Sequence, residues 1–335
     1  MTDIAKIPLV STEISGIWNS YIANTMIVCM IKHFMSNVED SEIRTILQQT
    51  LDLSNQNIQD LTNIFNMEKL TLPDGFNDSD INQGSPRLFS DSFYLLYLSY
   101  TARVQMHKST LILNHITRSD IRAFFSKLIN QNIDLLNNSV DLRLAKGIYI
   151  RAPRVEVNNE VQYIESQSFI TDWFGEKRPL LTAEITAVFS NIFTCIMDRA
   201  IATAFGQVSK DKNVSDYFFE GKDIATKHID ILTTLFTNEG IPVPSTSDSF
   251  VNDSTISPFS EKFMMNYIRV MLSSTQISSA CMSISETLRS DLVGKYINCV
   301  YELMKYSKKG ANLMIDNSWL QESPQAVKHE NLVGV

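Results

Sequence analysis

Lys6-Ile7-Pro8-Leu9, followed by Glu13-Ile14, returns in the same chain as Lys177-Arg178-Pro179-Leu180, followed by Glu184-Ile185. The spacing is 171 residues. At that offset, without gaps, Phe34 meets Phe205, Asp52 meets Asp223 and Ile58 meets Ile229. Leu61-Thr62 likewise meets Leu232-Thr233, Phe65 meets Phe236 and Pro73 meets Pro244. A one-residue slip follows, pairing Phe89-Ser90 and Phe93 with Phe259-Ser260 and Phe263. The register then returns: Arg118-Ser119-Asp120 meets Arg289-Ser290-Asp291, Leu142 meets Leu313 and Pro153 meets Pro324. A period of this length is domain-sized, so it reads as a duplicated domain and not as a solenoid. The expected units are copy one over 6–153, a linker over 154–176 and copy two over 177–324.

Within copy one, Ile14, Ile17, Tyr21, Val28, Ile31, Met35 and Val38 recur at helical spacing. Ser11 is placed to cap that helix, and Glu13 suits the positive end of its dipole. Thr182 and Glu184 repeat the arrangement. Further helices are predicted from about Ser41 to Met67, Asp91 to Asn114 and Ser119 to Lys146, where Gly147 is a natural stop. Copy two predicts helices over about 183–209, 212–238, 261–285 and 290–316. Helices one and two are joined by a few residues, as are three and four. About 20 residues rich in Pro, Gly, Asn and Asp separate helices two and three. A helix of about 26 residues is roughly 39 Å long, and an extended connection of that size can cross it. Short, long, short connections suit an all-α, ferritin-like four-helix bundle with one crossover, present twice. The alternative is a large irregular helical domain. Between the copies, Arg154 to Tyr163 alternates around Asn158-Asn159, which predicts a small hairpin. Trp173-Phe174-Gly175 follows and reads as a plug between domains.

Composition narrows the function. Acids outnumber bases 37 to 29, giving a net charge of −8 with no long basic cluster. That excludes an electrostatic footprint for nucleic acid and an anionic-membrane patch. The N-terminus lacks the pattern of a signal peptide, and the most apolar run, Met26 to Ile31, is too short to span a bilayer, so a cytoplasmic location is expected. The four cysteines, Cys29, Cys195, Cys281 and Cys299, are scattered and read as reduced core residues.

Di-iron enzymes of ferritin-like fold need Glu-x-x-His pairs, because three residues along a helix put carboxylate and imidazole on one face. None of His33, His107, His115, His228 and His329 has Asp or Glu three or four residues away. No cofactor is therefore expected, and the chain leans away from enzymes. One degenerate metal site can still be assembled: His228, Glu302 and Cys195 fall at similar height in copy two. Their counterparts in copy one are Asn57, Gln131 and Asn24, so the same layer would be ionisable in one copy and amide-like in the other. A buried Asn layer more often fixes register than binds anything. The repeated Arg-Ser-Asp reads as architecture, with Ser capping the fourth helix, Asp complementing its dipole and Arg pairing with a neighbour. Met264, Met265, Met271 and Met282 read as adaptable core.

Several stretches carry a family resemblance: Arg87-Leu88-Phe89-Ser90-Asp91, Arg118-Ser119-Asp120-Ile121-Arg122, Lys146-Gly147-Ile148-Tyr149-Ile150-Arg151, Trp173-Phe174-Gly175 through Arg178-Pro179-Leu180, Ser257-Pro258-Phe259-Ser260 and Gly310-Ala311-Asn312. On these the halves resemble the domain of unknown function 3231 family of spore-forming bacilli. The resemblance covers nearly the whole chain. It implies tandem ferritin-like bundles distantly similar to spore coat F-type proteins, and it brings no activity or catalytic residues. One departure is Asn57, where the resemblance implies His. The leading expectation is a non-enzymatic helical scaffold or interaction protein, linked to sporulation or stress, with an unknown protein partner. The alternative is a metal- or small-ligand-binding protein with an atypical site in copy two. An apolar-ligand carrier rests only on the aromatic linker.

Overall fold

The computed structural model describes residues 7–157, 160–170, 177–244 and 249–326. Copy one folds as α1 (Ser11–Asn37), α2 (Ser41–Met67), α3 (Asp91–Leu113) and α4 (Ser119–Ala145). Copy two folds as α5 (Thr182–Val208), α6 (Lys212–Asn238), a third helix in two pieces, α7 (Glu261–Tyr267) and α8 (Ser274–Glu286), and α9 (Ser290–Asp316). In copy one, α1 and α4 each pack against both α2 and α3. In copy two, α5 and α9 each pack against both α6 and α8.

The helix ends show where local chemistry differs from expectation. Ser11, Thr182 and Ser119 are each the first helical residue and not the cap. The buried carboxylate of Glu13 does the capping. It accepts the N–H of Val10 (2.9 Å) at the start of its own helix and those of Thr117 and Arg118 (both 2.9 Å) at the start of α4. Burial works against its charge, but the backbone donors outweigh it and hold the carboxyl below its ordinary range. Glu184 does the same for Leu181, Leu288 and Arg289. The repeated arginines complete each latch. Arg118 pairs with Asp120 and Glu68, and Arg289 with Asp291 and Glu239. These contacts tie three chain segments at one end of each bundle.

The third helix of copy two is interrupted by a π-helical segment, Ile268–Ser273. The one-residue slip explains it: copy two carries one more residue than copy one between its helix-three phenylalanine and its Arg-Ser-Asp. A helix absorbs a single extra residue by widening one turn to i→i+5 pairing. The turn expected for the linker hairpin, Asn158-Asn159, lies outside the described residues; the flanking described residues form no strand, and Val157, Val161 and Tyr163 are exposed. A two-stranded ribbon with no surface to cover is marginal in water. Trp173-Phe174-Gly175 and His329 also lie outside the described residues.

The copies share one core. The largest apolar cluster draws on α1, α2 and α3 together with α5, α6 and α7, and includes Phe34, Phe93, Tyr97, Phe205, Phe263 and Tyr267. Met264, Met265 and Met271 are buried in it, while Met282 is exposed. The long crossovers seal the seam in a reciprocal pattern. Asn82 N–H donates to Pro258 O (2.8 Å), and its repeat mate Asn252 N–H donates to Leu88 O (2.9 Å). Ser260 N–H donates to Asp80 O (2.9 Å), and Ser90 N–H to Phe250 O (3.1 Å). Antiparallel bridges join Ile81 to Phe259 and Phe89 to Val251. Each contact maps onto its mate when the copies are exchanged, which is the signature of a two-fold, isologous interface inside one chain. Helices α1 and α5 are long and apolar enough to cross a membrane by length and composition, which the short run Met26 to Ile31 does not suggest. Most of the apolar stretch of each is buried inside the fold. Cys29, Cys195 and Cys299 are buried and Cys281 is exposed; all four are free.

Candidate functional site

The polar layer expected at mid-height exists in both copies, in different forms. In copy two, His228 Nε2 lies 3.0 Å from Glu302 Oε2, and Lys227 donates to the other carboxylate oxygen at 2.8 Å. His228 is buried, and burial holds its pKa below the usual imidazole value while Glu302 pulls the other way. Burial opposes the charge of Glu302 too, but Lys227 and His228 outweigh it and keep the carboxyl low. Cys195 does not join this pair as a hydrogen-bond partner. Its sulfur accepts from the Gln276 amide at 3.5 Å, and burial raises its thiol pKa, the reverse of what a thiolate ligand needs. Among the described residues no three His, Cys, Asp or Glu side chains group to hold a metal.

In copy one the amides meet as the repeat implies. Asn57 Nδ2 donates to Gln131 Oε1 (3.0 Å) and, at the limit of hydrogen bonding, to Asn24 Oδ1 (3.4 Å). These three residues line a cavity of about 410 Å³, within the range of small-molecule sites. Its floor is made by buried Asn24, Asn57, Thr101, Gln105, Leu128 and Asn132, and its mouth includes the exposed Asp52 and Asp134. Asn57 Oδ1 has no hydrogen-bond partner, and that atom presents almost no surface to the cavity. Unpaired buried polar atoms are costly and rare in native interiors.

The difference between the copies has a simple steric origin. At the positions of Ile46 and Leu135, copy two has Tyr217 and Tyr306, stacked with ring centroids 4.3 Å apart. At the positions of Thr50 and Ser139 it has Gly221 and Gly310. The Tyr306 hydroxyl occupies the space a Cβ on Gly221 would take, and the Tyr217 hydroxyl does so at Gly310. Two glycines thus admit two aromatic rings that help fill copy two. Copy one, with shorter side chains at 46 and 135, keeps its cavity. Thr50, Thr101, Gln105 and Asn132 belong to this site and carry no motif. Their signal in the sequence is the pairing of Thr50 with Gly221 and Leu135 with Tyr306 across the repeat.

A family pattern described as "Protein of unknown function (DUF3231)" matches residues 2–161 and, a second time, 168–332. The chain belongs to this family. DUF3231 units thus account for both copies, as the sequence resemblance implies. No curated protein matches the chain. Among solved structures, a candidate spore coat protein of Bacillus halodurans C-125 is similar at 17% identity. The match covers 47% of this chain and 100% of the other, with a TM-score of 0.42.

Proposed function

We propose that this DUF3231 protein is a non-enzymatic, small-ligand-binding helical scaffold whose ligand site is the copy-one cavity. The observation that carries this reading is the copy-one cavity of about 410 Å³, lined by the buried polar residues Asn24, Asn57, Thr101, Gln105 and Asn132. An enclosed space of that size with a polar lining is suited to a small guest. The lining is chiefly carboxamide, hydroxyl and aliphatic, groups that hold a molecule without exchanging protons with it, which favours binding over catalysis. In this reading each copy is a ferritin-like bundle with one crossover, as the family resemblance implies, and the protein acts in sporulating or stressed cells.

The test is a thermal-shift panel of small polar molecules on the full chain. Stabilisation of the wild type that disappears in Leu135→Tyr with Thr50→Gly, which copies the filling of copy two, supports the reading. No stabilisation by any member counts against it. A second reading, a protein-interaction scaffold, is favoured by the outer face of α9, where Ile297, Tyr301 and Met304 are all exposed at helical spacing. Light scattering of the wild type and Tyr301→Lys tests self-association through that face. An unchanged monomer in both counts against a second copy as the partner.

A further inference from the structure

Three arginines are buried among the described residues, Arg118, Arg143 and Arg289, none more than 2% exposed. Two of them are compensated by their own chain: Arg118 holds Asp120 and Glu68, and Arg289 holds Asp291 and Glu239. Arg143, on α4, has no carboxylate and no hydrogen-bond partner among the described residues, and its Nη1 is sealed off in that state. Burial, and then the neighbouring cation Arg103 on α3, pull its pKa down to about 10. The Arg143 guanidinium lies over the rings of Tyr149 (4.8 Å) and Phe193 (5.9 Å), and that of half-buried Arg103 over Phe193 (4.7 Å). Ring faces attract a cation, but they offer no oxygen to the five N–H donors of a guanidinium. Nε and Nη2 of Arg143 also lack a partner but are not sealed, so this edge stays open to an approaching group. The duplication supplies a control. The repeat mates of Arg103, Arg143, Tyr149 and Phe193 are Ser274, Met314, Leu320 and Ile22. Met314 is fully buried in the shared core, so the fold can fill this position with an apolar side chain. The two cations and two rings therefore occur together on one side of the seam only.

We propose that Arg103 and Arg143 form an oxyanion site, which takes a phosphate or carboxylate group where α3 and α4 of copy one meet α5 of copy two. Neither arginine lines the copy-one cavity, so this is a second site. The oxyanion accepts from the open edge of Arg143 and from Arg103, in charge-assisted hydrogen bonds of the kind guanidinium groups make best. It supplies the counter-charge that Arg118 and Arg289 receive from their own carboxylates. A buried charge without a partner is costly, whereas an apolar residue in its place is tolerated, so the chain carries a penalty that a bound anion relieves. With a net charge of −8 the chain as a whole repels anions, and one that is retained is held locally.

The test is calorimetric titration of the full chain with inorganic phosphate and with succinate, at an ionic strength held constant with sodium chloride. Wild type is compared with Arg143→Met and Arg103→Ser, which install the residues of copy two, and with the filled-cavity variant Leu135→Tyr with Thr50→Gly. Circular dichroism establishes that each is folded. The wild type is expected to bind at least one of the two anions at a single site. Arg143→Met should lose that binding, Arg103→Ser should bind at least about tenfold more weakly, and the filled-cavity variant should bind as the wild type does. Binding of phosphate alone assigns a phosphate group, and binding of succinate alone assigns a carboxylate. Binding of neither overturns the proposal. An equal response in Arg143→Met would be a general salt effect and would also overturn it. Loss in the filled-cavity variant would place the anion in the cavity and overturn the second site. If Arg143→Met does not fold, Arg103→Ser decides: binding at full strength in that variant overturns the site. The cavity reading does not depend on any of these outcomes, because its own test is the thermal-shift panel.

Discussion

Replacing Glu184 by Gln keeps the shape of the side chain and removes its charge. Glu184 is 1% exposed. One of its oxygens accepts from Arg178 Nη1 (2.8 Å) and Leu181 N (2.9 Å). The other accepts from Arg178 Nη2 (2.8 Å), Leu288 N (3.2 Å) and Arg289 N (3.1 Å). A glutamine amide group on either side turns at least two of these contacts donor-to-donor. At about 1.5–3 kcal/mol for each hydrogen bond to a charged group, and about 3–5 kcal/mol for breaking one partner of a buried pair, the expected loss is about 3–5 kcal/mol. In a domain of this size that lowers the melting temperature by roughly 10 °C. The assay is thermal unfolding followed by circular dichroism, over a pH series. Glu184 is held below its ordinary pKa of 4.5; burial opposes its charge, but Arg178 and the backbone donors prevail. Its contribution is therefore full above about pH 4.5 and is lost as pH falls through the lower folded value. The gap between wild type and Glu184→Gln should narrow over the same range. A change in melting temperature below about 2 °C at pH 7, or a gap independent of pH down to unfolding, would refute the latch as a source of stability.

Other expectations follow from the same contacts. Gly310→Ala should cost about 1–3 kcal/mol through overlap with Tyr217, and combination with Tyr217→Ile should recover most of the loss in a denaturant melt. His33, 2% exposed, lies against Phe259 across the seam, and burial pushes its pKa down to about 4. Stability should be full above about pH 6.5 and fall by about 3 kcal/mol as pH drops from there to 4; a His33→Phe variant that stays folded should lack this component of the acid profile. Copy one expressed alone over 1–161 should dimerise, because the crossover contacts are self-complementary; a soluble monomer by light scattering would contradict this. Metal content by plasma mass spectrometry should be substoichiometric in the wild type, and one equivalent that disappears in His228→Ala would instead make copy two a metal site.

Much of the helical frame was legible because it rests on period and punctuation. Ser41–Met67 is bounded in the structure as its apolar spacing predicts, and Gly147 adopts the left-handed conformation of a helix stop. The mid-height layer was legible because the duplication aligns Asn57 with His228 and Gln131 with Glu302. The caps were not, because the groups that satisfy α4 come from Glu13, more than a hundred residues away. The π segment was present as a slip in the alignment, but a slip does not say whether a loop or a helix absorbs the extra residue. The cavity was hidden for a steric reason. Whether Asn24, Asn57 and Gln131 enclose space or pack solid depends on how far the side chains at 46 and 135 reach, and that becomes clear only when Tyr217 and Tyr306 are seen lying on two glycines.

The reciprocal pairing of the crossovers has a consequence for what this protein can become. In a dimer of identical chains every substitution is made twice, so a pocket opened in one subunit opens in the other. A change that favours one half at the expense of its mate is out of reach. Here the peptide linker makes the partners genetically independent while the seam keeps them as closely joined as subunits. One half can then be tuned for rigidity, with a stacked tyrosine pair and a filled interior. The other can tolerate a void that would be a double burden in a symmetric assembly. The asymmetry between the halves is thus something only a covalently joined pair can hold.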